Sequence, residues 1–195
     1  ANSELARMTY GDSEWFDGID RQVQRMNKLV RELITLAKMD EQQKLDFEPF
    51  NLSDALYDVM LPFGQVLTRQ EKNLTYDITD HITLKGNESS IRELISILID
   101  NAAKYCAEQG TVHVTLHTMN NKIHLDITND FQDAENCDFS AIFDRFYRAD
   151  KSRKSDGSYG LGLSIAKNIV EMHHGTITAK AAGATKIVFE VSFKN

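Results

Sequence analysis

Two short segments, Leu98–Tyr105 and Asp156–Leu163, restrict the possible folds of this 195-residue chain more than any other part of it. The first closes an apolar series that begins at Ile91. Ile91, Leu94, Ile95, Leu98, Ile99, Ala102 and Ala103 recur at the three/four spacing of one buried helix face. Asn101 and Lys104 are three apart and, with Tyr105, share one edge at the C-terminal end of that helix. The second segment, Asp156-Gly157-Ser158-Tyr159-Gly160-Leu161-Gly162-Leu163, is a glycine turn that runs straight into another helix. That helix is amphipathic through Leu161, Leu163, Ile165, Ala166, Ile169, Val170 and Met172, and it ends near His173-His174-Gly175. Gly157, Gly160 and Gly162 permit positive φ and a close approach of backbone to a ligand. Brought together, the two segments offer an oxygen ligand for Mg²⁺, an ammonium for phosphate and unpaired N–H groups at a helix start, the donors that a metal–triphosphate requires.

Competing glycine motifs fail on context. A dinucleotide fingerprint needs a strand before its glycines, and Lys151-Ser152-Arg153-Lys154-Ser155 is a polar loop. A phosphate-binding Walker loop needs Lys-Ser/Thr after the last glycine, and Leu163 follows Gly162.

The two segments resemble the N-box and the G2 box of the sensor histidine kinases. Ile142-Phe143-Asp144-Arg145-Phe146-Tyr147-Arg148-Ala149-Asp150 resembles that family's F-box. Gly183-Ala184-Thr185-Lys186-Ile187-Val188-Phe189-Glu190-Val191 resembles its closing hairpin, in which a threonine lies near the adenine. The four motifs occur in the family's order between Phe47 and Lys194, and the ordered set is far more specific than any one of them. The G1 box departs from the family. Asn129-Asp130-Phe131-Gln132-Asp133 stands where an aspartate and two glycines are usual, so Asn129 takes the place of the adenine-reading aspartate. An amide oxygen can still accept from the adenine amino group, but without charge. Asp126 and Asp130 are outside candidates for the same contact, and Ile97 replaces a frequent N-box amide.

Near the N-terminus, Phe16, Ile19, Val23, Met26, Val30, Leu33 and Ala37 form a heptad seam, widened by Trp15, Leu29 and Leu36. Asp12 or Ser13 is the expected helix cap. The resemblance implies that residues 1–42 are part of the dimerisation and phosphotransfer hairpin, with its first helix truncated, and that residues 43–195 are the catalytic ATP-binding domain. None of the six histidines precedes an acidic residue and a proline as the family's phosphate acceptor does. The resemblance therefore places that histidine upstream of Ala1.

Strand-like alternation covers Leu74–Ile78, Ile82–Lys85, Thr111–Thr118, Lys122–Asn129, Gly175–Ala182 and Thr185–Phe193, with Asn120-Asn121 as a hairpin turn. Leu45–Phe50 reads as a short edge segment around Pro49. A helix capped by Asn51 or Ser53 follows, with Pro62 near its start or at a kink. Strands and helices interleave but are joined mainly by hairpins. That predicts an α+β, two-layer α/β sandwich with a mixed sheet, the histidine kinase/Hsp90-like ATP-binding fold, preceded by a long helix.

The net charge of -7 argues against nonspecific nucleic-acid binding. No apolar stretch reaches the roughly 18 residues of a membrane span. Cys106 and Cys137 have neither metal-ligand nor redox spacing. Arg145, Arg148, Lys151, Arg153 and Lys154 cluster before the glycines, and the segment from Asp133 to Tyr159 reads as a phosphate-facing lid that orders over nucleotide, with Ile142, Phe143 and Phe146 anchored in an apolar groove.

By resemblance the activity is phosphoryl transfer from ATP·Mg²⁺ to a histidine and then to an aspartate of a response regulator. Asn101 would ligate Mg²⁺, and Lys104 and Tyr105 would contact phosphate. Arg145 or Arg148 would stabilise the transferring charge. Gly157, Gly160, Leu161 and Gly162 would cradle phosphates, and Asn129 and Thr185 would lie by the adenine. The resemblance further implies a homodimer in the full-length protein, weakened or absent without the first hairpin helix. It implies a cytoplasmic portion of a membrane-anchored sensor, with membrane contact only through upstream segments. Two rivals remain: another ATPase of the same ATP-binding superfamily, such as an anti-sigma-factor serine kinase, against which the heptad helix argues, and a noncatalytic ATP-sensing or scaffolding dimer module, which the altered G1 box motivates.

Overall fold

Helical and strand periodicities fall where the sequence puts them. The computed structural model describes residues 14–40, 46–147 and 159–194. In chain order the elements are α1 (Glu14–Asp40), β1 (Glu48–Asn51), α2 (Leu52–Arg69), β2 (Asn73–Ile78), β3 (Thr83–Gly86), α3 (Glu88–Tyr105), β4 (Thr111–Met119), β5 (Lys122–Asp130), a 3₁₀ turn (Ala134–Asn136), α4 (Gly162–Met172), β6 (Thr176–Ala181) and β7 (Lys186–Lys194). Asp12 and Ser13, the expected caps of α1, lie outside the described residues.

The main sheet has five strands in the order β2-β4-β5-β7-β6, with β1 and β3 forming a separate antiparallel pair. Only β2–β4 is parallel, so the sheet is mixed as expected. Asn120 and Asn121 form the β4–β5 hairpin turn with φ of 52° and 59°, the left-handed pair that asparagine tolerates well. Pro49 sits in the two-stranded ribbon opposite Lys85, where its missing N–H does least harm. Pro62 lies inside α2, which runs on to Arg69 rather than beginning near it. The Asn51 side chain caps α2 by accepting from the Asp54 N–H at 3.2 Å.

One face of the sheet carries Val112, Val114, Leu116, Ile123, Leu125, Ile127, Phe189, Val191 and Phe193, all buried under α2, α3 and α4. The other face is polar. The α3 series from Ile91 to Ala103 is buried as its spacing requires. The two layers bury the large side chains that dominate stability; truncation of Phe189 or Phe193 to alanine would cost about 3–5 kcal/mol.

The long helix α1 splits its apolar residues between two faces. Leu36 is buried and Leu29 half-buried against the domain, where α1 meets α4. A hydrogen bond joins Thr35 of α1 to Glu93 of α3. The heptad seam lies beside this contact, about a quarter-turn round the helix, and is mostly uncovered: Ile19, Val23, Met26, Val30 and Leu33 are 44–63% exposed. The seam is thus distinct from the intramolecular contact, and Leu29 and Leu36 do not broaden it.

His173 ties the C-terminal end of α4 to the start of α3. Its Nδ1–H donates to the Ile169 carbonyl at 2.7 Å, and its Nε2 accepts from the Asn87 N–H at 3.0 Å. Phe47 stacks on the ring at 4.7 Å. The neutral imidazole satisfies both bonds, and burial holds its pKa below the ordinary value; the bond to Ile169 opposes that shift and His174 adds to it. A group with a depressed folded pKa binds protons more readily when unfolded. The stability it contributes is complete above the ordinary value of 6.5 and is lost as pH falls below it toward the folded value. Denaturant titrations should show the midpoint falling with pH below about 6.5. His173→Phe, which leaves the Asn87 N–H buried without an acceptor, should cost about 1–3 kcal/mol at neutral pH and flatten that acid dependence.

Candidate functional site

The site follows from how α3 and α4 lie together. At one end, Asn87, the cap of α3, meets His173, the last turn of α4. At the other, a Cβ on Gly162 would touch Ile97 Cγ2 at 3.4 Å. The helices are therefore antiparallel, and the N-terminus of α4 faces the C-terminal half of α3. Asn101 is one turn beyond Ile97 and Lys104 nearly two, so both continue the stripe that α4 begins to cover. Asn101, Lys104 and Tyr105 are half-buried, and the Lys104 ammonium lies 4.7 Å from the centre of the Tyr105 ring.

Opposed helix ends bring opposed partial charges to one place. The α3 C-terminus favours cations, and the α4 N-terminus favours anions. Lys72 already uses the first, donating to the Ala103 carbonyl at 2.9 Å. At the second, Leu161 occupies the cap position with no side-chain capping bond. The Ser164 hydroxyl donates backward to the Leu161 carbonyl at 2.8 Å and caps nothing. The first-turn N–H groups of α4 are left for a ligand.

Gly160 sets the entry to this turn. Its φ is 73°, and a Cβ there would come within 2.6 Å of the Tyr147 carbonyl oxygen. The Phe146 N–H donates to the Gly160 carbonyl at 2.8 Å, so the F-box-like segment is fastened to the glycine turn through backbone. Ile142 and Phe143 pack on the core as expected. Phe146 does not: it is 64% exposed with φ of 65°, because its backbone rather than its ring makes the anchoring contact. Arg145 is exposed beside it. Arg148, Gly157 and the rest of the stretch 148–158 of the expected lid lie outside the described residues.

The same end of the sheet carries the G1-like residues. Asn129 is 2% exposed on the helix-covered side of β5, and its Nδ2 donates to the Asp130 carbonyl at 3.1 Å. Its Oδ1 accepts no hydrogen bond from the described residues. The Ala107 N–H donates to that same carbonyl at 2.8 Å, which joins the end of α3 to the end of β5. Thr185 is exposed, and its carbonyl accepts from the Phe131 N–H at 2.8 Å, so it stands just past Asn129. Asp130 is occupied structurally, accepting the Thr111 N–H at 2.9 Å. Asp126 is excluded as an adenine contact by strand parity: Leu125, Ile127 and Asn129 face the helices, and Asp126 faces the open side. There, burial and the neighbouring Glu190 raise its pKa, with His117, His124 and Thr115 opposing.

Asn101, Lys104, Tyr105, Asn129, Gly160, Leu161, Gly162 and Thr185 thus gather at one end of the fold. The residue absent from the sequence expectation is Lys72, whose ammonium binds a backbone carbonyl and which carries no periodic signal. Burial pushes the Cys106 thiol pKa up, with Lys72 opposing, in keeping with an inert cysteine.

Comparison with known proteins gives the same grouping. The family described as histidine kinase-, DNA gyrase B- and HSP90-like ATPases matches residues 86–195. A Streptococcus agalactiae relative, sensor protein DltS, is 32% identical over 180 residues, covering 92% of this chain and 46% of its own length. The chain spans about half of the curated relatives it matches. Full-length ShkA in complex with AMPPNP aligns with a TM-score of 0.81 at 16% identity over 98% of this chain and 41% of its own. Histidine kinase ThkA in complex with response regulator TrrA aligns with a TM-score of 0.69 at 18% identity over 99% of this chain and 56% of its own.

The two glycines of the turn should respond differently to a methyl group. Gly160→Ala meets backbone at positive φ and should destabilise by about 1–3 kcal/mol, with faster hydrogen exchange across Ile142–Tyr147. Gly162→Ala is helical and meets only the Ile97 methyl at ordinary contact distance, so the denaturation midpoint should hold or rise.

Proposed function

The chain belongs to the family of histidine kinase-, DNA gyrase B- and HSP90-like ATPases, and we propose that it serves a two-component sensor kinase by moving the γ-phosphate of ATP to a histidine of the parent protein. The observation that carries this reading is the juxtaposition of an uncapped α4 N-terminus with the Asn101–Lys104 edge of α3. ATP is the substrate. Asn101 is assigned to Mg²⁺ through its side-chain oxygen. A single neutral oxygen suits an ion that keeps waters and takes phosphate oxygens. When bound, Mg²⁺ would supply charge neutralisation along the phosphates.

The chain's own residues orient and neutralise. Lys104 and Tyr105 contact phosphate, and the N–H groups that follow Gly160 and Leu161 receive its oxygens, with Gly157 and Gly162 completing the cradle. Arg145 or Arg148 stabilises the transferring charge. Asn129 and Thr185 take the adenine. The amide in place of a carboxylate weakens that contact without removing it, since its oxygen is the end left to accept. Proximity does most of the work in such a transfer.

The domain division follows: residues 1–42 belong to the dimerisation hairpin and 43–195 to the catalytic part. The exposed seam of α1 is the surface through which the parent protein would dimerise. An aspartate on a response regulator is the final acceptor, a reading supported by the fold shared with the ThkA–TrrA complex. No helix among the described residues is long and apolar enough to cross a membrane.

Incubation with γ-labelled ATP and a separately supplied hairpin carrying the parent's acceptor histidine tests this function. Acid-labile, alkali-stable label should appear on the hairpin and not on this chain, whose histidines lie on strands, at turns or buried in the core. Stoichiometric label on the chain itself, or none on the hairpin, would refute the assignment.

A further inference from the structure

At the end of the sheet remote from Asn129, β5 and β7 set two lysines side by side. The register pairs Lys122 with Lys194 directly. The alternation of both strands puts the pair on the open face, away from the helices. Like charges opposed across an antiparallel ladder are destabilising unless something neutralises them. Among the described residues nothing does: neither ammonium takes part in an ion pair. The next carboxylates along that face are the opposed pair Asp126 and Glu190, four residues along each strand: Glu190 holds the Lys180 ammonium at 2.7 Å and accepts from the Thr178 hydroxyl at 3.3 Å, and Asp126 accepts from the Thr115 hydroxyl at 3.5 Å. In a chain of net charge -7, a concentrated positive corner is not a by-product of composition.

The surface around the pair is concave. A cleft of about 350 Å³ is lined by both lysines together with Asn121, His174, Thr176 and Ser192. It is formed where three residues in left-handed conformation turn the chain: Asn120, Asn121 and His174, with φ of 52°, 59° and 55°. The Thr176 and Ser192 hydroxyls are hydrogen-bonded to each other at 2.9 Å across its floor. His124 faces Ser192 in the register, and His117 stacks on His124 at 5.3 Å. The lining sets donors, hydroxyls and two cations beside Phe193 and Gly175, with no carboxylate. That is the complement of a phosphate group, and the volume suits a small ligand, for which sites run from roughly 300 to 1,000 Å³.

We propose that this corner is a second anion site, taking a small phosphate-bearing ligand, at the opposite end of the sheet from Asn129 and independent of the triphosphate site. The missing counter-charge of the Lys122–Lys194 pair is what the ligand supplies. A phospholipid headgroup carries the same chemistry, but a cleft bounded by the β4–β5 hairpin favours a free molecule over a planar surface.

The test is amide chemical-shift mapping of the chain, saturated with Mg²⁺ and a nonhydrolysable ATP analogue, titrated with inorganic phosphate. A second arm uses vesicles of phosphatidylglycerol and phosphatidylcholine. Saturable shifts at Asn121, Gly175 and Lys194 are expected, weakened roughly tenfold by Lys122→Gln through loss of one charge-assisted contact. Lys122→Glu, which pairs with Lys194, should raise the thermal midpoint without phosphate and remove the further rise that phosphate gives the native chain. The location of the shifts separates this site from Gly160–Ser164, so either site can fail alone. Linear, non-saturating shifts, saturation unaffected by Lys122→Gln, or binding to vesicles without binding of free phosphate would each overturn the proposal.

Discussion

The antiparallel contact between α3 and α4 is what the rest of the molecule depends on. It is pinned at one end by His173 and Asn87, and at the other Gly162 lies within ordinary contact distance of Ile97. The first contact is polar and buried, so it tolerates one alignment of the helices and penalises a slip. The second allows the start of α4 to approach α3 at the level of Ile97. Asn101 and Lys104 then fall beside an uncapped helix start without further adjustment.

Around this contact the fold divides its surfaces by chemistry. One sheet face is covered by three helices and holds the core. The other is polar from Thr115 and Asp126 to Glu190 and Lys180. The end carrying Asn129, Thr185 and the glycine turn collects groups for a charged ligand, and the opposite end carries the lysine corner. The helix α1 gives Leu36 to the domain and leaves its heptad seam exposed. A helix with two apolar faces suits a segment that must hold a catalytic domain and meet another helix at the same time.

Much of this was legible in the sequence because the signals were periodic. The spacing from Ile91 to Ala103 defined the buried face of α3 and thereby the edge that carries Asn101. Alternation defined β4, β5 and β7, and Asn120-Asn121 marked their hairpin. The signals that were not periodic were missed. Nothing in the spacing of His173 reveals that it accepts from Asn87, since the partners are 86 residues apart and the bond exists only once the helices dock. Phe146 was expected in a groove because it is aromatic, yet its backbone does the anchoring and its ring faces solvent. Asp126 was a candidate by proximity in sequence, and a one-residue change of parity put it on the wrong face. Leu29 and Leu36 were grouped with the seam by hydrophobicity; tertiary contact with the domain took them out of it.

The central claim is that α3 and α4 jointly hold a metal–triphosphate, and calorimetric titration with a nonhydrolysable ATP analogue tests it most directly. Run with and without Mg²⁺ on the native chain and on Asn101→Ala, it should give one-to-one binding that strengthens with Mg²⁺ in the native chain. In the variant, the metal-dependent part should be lost while the fold persists. Equal metal-dependent affinity in both proteins would contradict the assignment of Asn101 and, with it, the site built on the opposed helix ends.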